Sequence, residues 1–482
     1  MTEPSTPHAT RRSCAWPTKR CLRHLYISIF FNSLRVRGMS AASNVQPGFG
    51  YGGGVSRRHY PMAVFASACS RRGLAPPSVE LPIRGGLRAL CAVLALWAFA
   101  ADAQDDYWKL PVPAQGKPPE SHHPLTRNLE ADNCGLCHQA KLRQWRDSLH
   151  ARAMSKGVAG QLNFTSRSNV EACLACHTPR SEQRALWDKE GASALTRLRG
   201  IDCAACHVRG YQRFGPRDVK ETPHGAVKAL PLFKRSEFCM KCHQFPKGEG
   251  TVLNGKPLEN TYNEWLASPY SKSGRTCQSC HMPDGKHEFK GIHDPEMTRR
   301  GLAVRVMRTA QGMHVRATNA GAGHALPTYA TPRITIRSET VVAGEPRRSD
   351  FIIQRRVDWN PKTGWRELSD TRLLPGQSLN LNLPLAKDKG ASVRVFVQPD
   401  QDYHDRVYPM LLSAPIDLSK EDRAMLEAAR AAGISSEYTL YSFECEPWPG
   451  SDKACRDSTK AAANSELKAK KKQPQPVSPS SK

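Results

Sequence analysis

Five times between residues 134 and 281 the chain spells Cys-x-x-Cys-His: CGLCH (134–138), CLACH (173–177), CAACH (203–207), CMKCH (239–243) and CQSCH (277–281). No other feature restricts the fold so tightly. Two thiols with two residues between them reach the two vinyl groups on one edge of a porphyrin, and the imidazole that follows meets the iron. This is the attachment signal of c-type haem. Zinc wants four ligands at one centre and has no use for a histidine after every second cysteine, and a thioredoxin-like redox pair does not recur five times. The expected cofactors are therefore five c-type haems. Their tethers are Cys134, Cys137, Cys173, Cys176, Cys203, Cys206, Cys239, Cys242, Cys277 and Cys280, and their proximal iron ligands are His138, His177, His207, His243 and His281.

The motifs start 39, 30, 36 and 38 residues apart, too irregular for a solenoid. So little chain per cofactor cannot enclose an ordinary core of apolar side chains. The porphyrins must be the core of a pentahaem domain (104–300), with short helices and loops wrapped round them. Such a segment should not fold without its cofactor.

A second axial ligand closes an iron, whereas an open site can take substrate. Nine histidines beyond residue 103 lie outside the motifs: His122, His123, His150, His224, His287, His293, His314, His324 and His404. The stretch QAKLRQWRDSLHARAM (139–154) reads as a helix with Leu142, Trp145 and Leu149 on one face. If it is helical from His138, His150 lies about 18 Å further along the axis. His150 is thus expected to serve a neighbouring haem, a surface histidine being the alternative. EWLASPYSKSG (264–274) repeats the pattern, so that Trp145-x-x-Ser148-x-His150 aligns with Trp265-x-x-Ser268-x-Tyr270. Tyr270 can pack on a porphyrin, ligate weakly or act as a core aromatic, and the last is expected. His224 in TPHGAV, His287 and His293 in PDGKHEFKGIHDPEM, and His324 in NAGAGHALPT join His150 as candidate distal ligands. Around His324 the small Gly321 and Gly323 would admit a large planar group, and the imidazole would reach across a domain interface. His122 and His123 could cap the first haem, His314 is expected to face solvent, and His404 has no assigned place.

Among 482 residues, Lys and Arg exceed Asp and Glu by 26. There is no basic helix or interleaved aromatic stripe, so nucleic acid is not the expected partner. A basic surface that meets acidic redox proteins is the ordinary reading. Arg84 and Arg88 precede the apolar run ALCAVLALWAFA (89–100) and the small residues ADA, the layout of a secretory signal peptide over 84–103. Export to the periplasm or outer surface is expected, with no transmembrane helix left after cleavage; an uncleaved anchor is the alternative. Residues 1–83 then read as an extension ahead of the true start, near Met62 or Val79. From residue 301 the texture changes. LAVRV, MHVRA, RITIR, SLNLNL and VRVFV alternate at period two between turn residues, predicting an all-β sandwich-like module over 301–417. A C-terminal helix and loop (418–460) follows, capped by Ser419 and closed by Gly433, then a disordered tail (461–482). Cys445 and Cys455 lack a following histidine, and a disulfide is expected over free thiols.

Taken together, the haem motifs, WRDSLHARAM, CHMPDGKHEFKGIHD, NAGAGHALPT and DTRLLPG (370–376) resemble the multihaem c-type cytochromes of the cytochrome c-554-like family, over about residues 130–410. The resemblance implies export, paired axial histidines, haems packed in chains and electron transfer. Its redox partners would be proteins such as other cytochromes or a quinol-oxidising membrane complex. It places His150, His293 and His324 where such proteins commonly hold distal ligands, while tyrosine at 270 leaves one assignment open. The alternative function is an oxidoreductase with one open haem, acting on a small nitrogen or sulfur compound. All five motifs end in histidine, and none carries the lysine that marks one class of nitrite reductase.

Overall fold

The computed structural model describes residues 107–191, 200–246, 251–360, 363–415 and 417–460. The expected extension, signal peptide and tail lie outside these residues. Up to residue 301 the chain forms short helices: α1 (Ala131–Gly135), α2 (Gln139–Arg146), α3 (Lys156–Leu162), α4 (Arg167–His177), α5 (Ser181–Glu190), α6 (Cys203–His207), α7 (Glu237–His243), α8 (Thr261–Leu266), α9 (Pro269–Lys272), α10 (Cys277–His281) and α11 (Pro295–Gly301). Helices this short are marginal in water and persist through what they pack against. Four of the motifs end a helix, and there the helical turn brings cysteines three residues apart onto one face. The first motif instead bridges α1 and α2. Caps are supplied locally: the Asp202 carboxylate accepts from Ala205 N–H at 2.9 Å and starts α6.

Helix α2 stops at Arg146 instead of running to residue 154 as the periodicity suggests. The Ser148 hydroxyl accepts from Ala151 N–H and holds a turn, an alternative that serine offers the backbone. Trp145 is buried, but Leu149 is exposed, so the apolar face ends with the indole. Buried side chains in this half form small separate groups, such as Met154, Ala159, Leu162, Val170 and Leu174, or Ala131, Trp145 and Ala151. Short strands β1 (Val208–Arg209), β2 (Gln212–Gly215) and β3 (Val227–Ala229) make one small sheet, and β4 (Val252–Leu253) pairs with β5 (Lys256–Pro257).

Beyond Leu302 lie two stacked sheets. One has the order β12–β7–β6–β15, formed by β6 (Leu302–Thr309), β7 (Gly312–Asn319), β12 (Ser378–Pro384) and β15 (Lys453–Ala454). The other runs β16–β14–β13–β8–β9, from β8 (Arg333–Val342), β9 (Glu345–Ile353), β13 (Ala391–Gln398), β14 (Tyr438–Cys445) and β16 (Arg456–Asp457). Period-two alternation turns Leu302, Val304 and Val306 of the first sheet toward Ile334, Ile336, Val393, Val395 and Val397 of the second, giving the one large apolar core among the described residues. A hairpin of β10 (Arg355–Asn360) and β11 (Gly364–Asp370) projects toward the helical half. There the buried Arg355 donates to Glu367 at 2.8 Å and to the carbonyls of Pro257 at 2.6 Å and Lys256 at 3.1 Å.

Residues 418–460 divide between the two halves, where the sequence suggested a helix and a loop. Helix α12 (Lys420–Ser435) starts at Ser419 as expected, but it continues past Gly433. A Cβ on Gly433 would sit 3.2 Å from that of His404, so the glycine serves close packing and not termination. Helix α12 lies on α3, where Asn163 donates to Asp422 at 2.8 Å. Strand β14 then enters the middle of a sheet. Its pairing with β13 contains a bulge at Leu440, which breaks the alternation that would have revealed it. Cys445 and Cys455 form a disulfide that ties β14 to the end of β15, joining the two sheets. No described helix is long and apolar enough to cross a membrane.

Candidate functional site

Four motif imidazoles each face a second imidazole. Ring centroids are 6.3 Å apart for His138 and His224, 6.1 Å for His207 and His287, 6.2 Å for His243 and His150, and 6.3 Å for His281 and His324. Two imidazoles on opposite sides of one metal, each bound through nitrogen at about 2.0 Å, put their centroids roughly 6 Å apart. The donor set therefore fits an iron held between each pair.

The outer edges of these rings are tied down in a way that leaves the inner nitrogens bare. Backbone carbonyls accept from Nδ1 of His177 (Ala153, 2.6 Å), His207 (Phe214, 2.8 Å), His281 (Lys290, 2.7 Å), His287 (Gly285, 2.9 Å) and His324 (Ala325, 2.9 Å). The Thr222 hydroxyl donates to the Gly225 carbonyl, so its oxygen is left to accept from His224 Nδ1 at 2.7 Å. His243 Nδ1 meets the Tyr329 hydroxyl at 2.8 Å. A hydrogen bond of this kind selects the tautomer whose Nε2 lone pair can ligate. Burial and neighbouring imidazoles hold His150 down to about 3 and His243 to about 4, and burial chiefly does the same for His287, to about 4. These rings are neutral, as ligands must be.

The partners come from far along the chain. His150 follows the first motif but faces the fourth, and His287 follows the fifth but faces the third. The repeated Trp-x-x-Ser segments explain part of this. Trp145 donates its indole N–H to Ile201 O at 2.7 Å, and Trp265 donates to Arg275 O at 2.9 Å; each carbonyl lies two residues before a motif. His150 O accepts from Ile201 N at 2.9 Å, as Tyr270 O accepts from Arg275 N at 3.0 Å. The two units are thus equivalent in space, and His150 is brought to its place by a turn clamped against the third motif. Tyr270, in the equivalent position, donates its hydroxyl to Ala320 O at 3.0 Å.

The His324 loop is set by side chains the sequence did not flag. Glu264 accepts from Ala325 N at 3.1 Å and from Arg372 at 3.1 Å. A Cβ on Gly323 would lie 3.3 Å from Trp265 and 3.4 Å from Tyr270, and one on Gly321 would strike the Arg300 carbonyl. These glycines admit neighbouring protein, which corrects the expectation of a planar group packed against them.

His293, expected among the distal ligands, faces no motif imidazole. Its Nε2 lies 2.9 Å from Asp400 Oδ2, which also accepts from the Ser436 hydroxyl at 3.1 Å. His287, six residues earlier in the same loop, is the one that faces a motif imidazole, that of His207. His404 is buried with Nε2 3.0 Å from Glu437. His122 packs edge-on to Tyr211, His123 accepts from Leu125 N, and the half-buried His314 sits on β7 opposite Asn382 and Met307. His177 is therefore left, among the described residues, without a facing imidazole. Within its motif, Leu174 packs with Met154, Val170 and Met425.

The motifs are not stacked in chain order. Cys134 adjoins Cys203, Cys176 adjoins Cys242, and Cys239 adjoins Cys277. Cys206 lies near enough to Cys239 and Cys242 to raise both. The first motif thus adjoins the third, while the fourth touches the second and fifth and neighbours the third.

Repeated haem-attachment segments with facing imidazoles define a multihaem c-type cytochrome. Within that class, residues 133–208 match the family described as cytochrome c554 and c-prime. Cytochrome c-554 of Nitrosomonas europaea is 25% identical over 130 residues, 23% of this chain and 54% of the relative, so the chain spans about half the length of that curated relative. A penta-heme cytochrome c552 from Thermochromatium tepidum aligns with a TM-score of 0.47 at 19% identity, covering 69% of this chain and 100% of the other.

Proposed function

We propose that this cytochrome is an exported relay that carries single electrons between redox partner proteins through five covalently held haems. The observation that carries the reading is the set of four facing imidazole pairs at near-identical separation. Under it, the ten motif cysteines tether the cofactors, the five motif histidines are proximal ligands, and His224, His287, His150 and His324 are distal ligands for the first, third, fourth and fifth. Bound there, haem would supply reversible one-electron chemistry, and the four paired sites would leave no position for a substrate. The chain's part is to hold those imidazoles neutral, fix their tautomers through Nδ1, and keep the motifs adjacent. Export would follow from the signal-like segment before residue 104, and the basic surface would suit acidic partners.

A second reading attaches to one site. His177 has no facing imidazole among the described residues, and an open iron there would let the protein reduce or oxidise a small nitrogen or sulfur compound. Low-temperature electron paramagnetic resonance of the oxidised protein tests both. Four low-spin ferric signals and one high-spin signal are expected from the ligand set. A relay leaves the high-spin signal unchanged when nitrite or hydroxylamine is added, whereas an enzyme alters it and exchanges electrons with the compound, which reoxidises the reduced protein if it is reduced or reduces the oxidised protein if it is oxidised. A purified product lacking the mass of five bound macrocycles overturns the whole assignment.

A further inference from the structure

We infer that Tyr329 is a positioning residue that sets the donor strength of His243 and so tunes the fourth site apart from the others. The inference rests on the haem reading above. Among the motif histidines whose Nδ1 partner is described, His177, His207 and His281 donate to backbone carbonyls, whose acceptor strength the sequence cannot vary. His243 alone among them donates to a side chain, the Tyr329 hydroxyl at 2.8 Å, and the two rings lie nearly parallel at 28°.

That hydroxyl has onward partners. Thr261 adjoins Tyr329 closely enough to act on its hydroxyl, and the Thr261 hydroxyl lies 2.6 Å from Glu259 Oε1 and 2.6 Å from the Thr328 hydroxyl. Because the Tyr329 oxygen receives the imidazole proton, its own O–H is free to point to Thr261, and that of Thr261 to the Glu259 carboxyl. Hydrogen bonds in such a chain polarise one another. An acceptor on the outer nitrogen of a ligating histidine raises the basicity of the inner one, and a stronger axial donor favours the oxidised metal. The chain from Tyr329 to Glu259 therefore lowers the reduction potential at His243. The position gives this weight, since the fourth motif touches the second and fifth and lies near the third. A change there alters the step that connects the other sites.

The test uses the exported holoprotein carrying Tyr329→Phe, which keeps the ring and removes the acceptor. Bound haem is counted by mass, and midpoints are measured by potentiometric titration followed by paramagnetic resonance. The expected result is full haem content, one midpoint moved upward and the others unchanged, with Thr261→Val moving the same midpoint in the same direction by less. Full haem content with no shift, or a common drift of all midpoints, overturns the inference. If Tyr329→Phe does not mature, Thr261→Val and Glu259→Gln leave the imidazole contact intact, and unchanged midpoints in both overturn it equally. Failure of the underlying haem reading shows separately, as missing macrocycle mass in the unaltered protein.

Discussion

Arg372 and Glu264 lie 3.1 Å apart with side chains 3% and 6% exposed, and Asp370 takes the other edge of the guanidinium. Removing one partner of such a pair strands the other charge in the interior, at a cost of about 3–5 kcal/mol. Arg372→Leu should lower unfolding stability by that order. Because Glu264 also holds Ala325 N, it should convert one low-spin signal, that of the His281–His324 site, to high-spin. Denaturant titration and paramagnetic resonance check the two effects. Glu259 makes a prediction of opposite kind. Burial pushes its carboxyl up from 4.5 to about 8, against the Thr261 hydrogen bonds that pull it down. The folded state therefore holds this proton more tightly than the unfolded chain. Its contribution to stability is present below pH 4.5 and fades as the pH rises through about 8. Melting temperatures of Glu259→Gln should lack that part of the decline and exceed those of the parent protein most at the alkaline end.

At the scale of elements, the Trp-x-x-Ser unit was legible as a repeat, but its role was not. Spacing alone suggested a long helix through His150. The structure ends the helix at Arg146 and spends the tryptophan on a carbonyl two residues before a distant motif. Trp145→Phe keeps most of the apolar bulk and loses a hydrogen bond worth about 1 kcal/mol. It should loosen the His150 turn first, seen as faster amide exchange at Ile201. Strand β14 escaped the sequence because its bulge interrupts the period of two, and only pairing with β13 reveals it. The disulfide that follows joins both sheets. Replacing Cys445 and Cys455 by serine should cost about 2–4 kcal/mol, with the loss confined to the sandwich while the haem spectrum is retained.

For the whole molecule, the two halves solve the problem of a core differently. The sandwich encloses a continuous apolar interior, whereas among the described residues up to 300 there are only small separate groups around the motifs. Attachment should therefore be a condition of folding for the first half. The adjacency of the motifs ranks the damage. Serine at Cys239 and Cys242 removes the site that touches the second and fifth and lies near the third, while serine at Cys134 and Cys137 removes one that adjoins the third. Yields of folded, haem-loaded protein should fall much further for the former pair, as measured by haem absorbance per milligram.

The amino-acid sequence by itself determined the cofactor class and marked out the ten thiols and five motif imidazoles proposed to hold it, because the attachment chemistry is complete within five consecutive residues. It also yielded most of the sandwich, since a half-buried strand writes its period into the chain. The tertiary structure alone decided which histidine opposes which. A facing imidazole needs only one side chain, carried to its place by turns and clamps, and the residues around His150, His224, His287 and His324 do not name the motif each will face. For the same reason His293 reads like His287 in sequence yet ends on Asp400, and Tyr329, 86 residues beyond His243, carries no local mark of the nitrogen it meets.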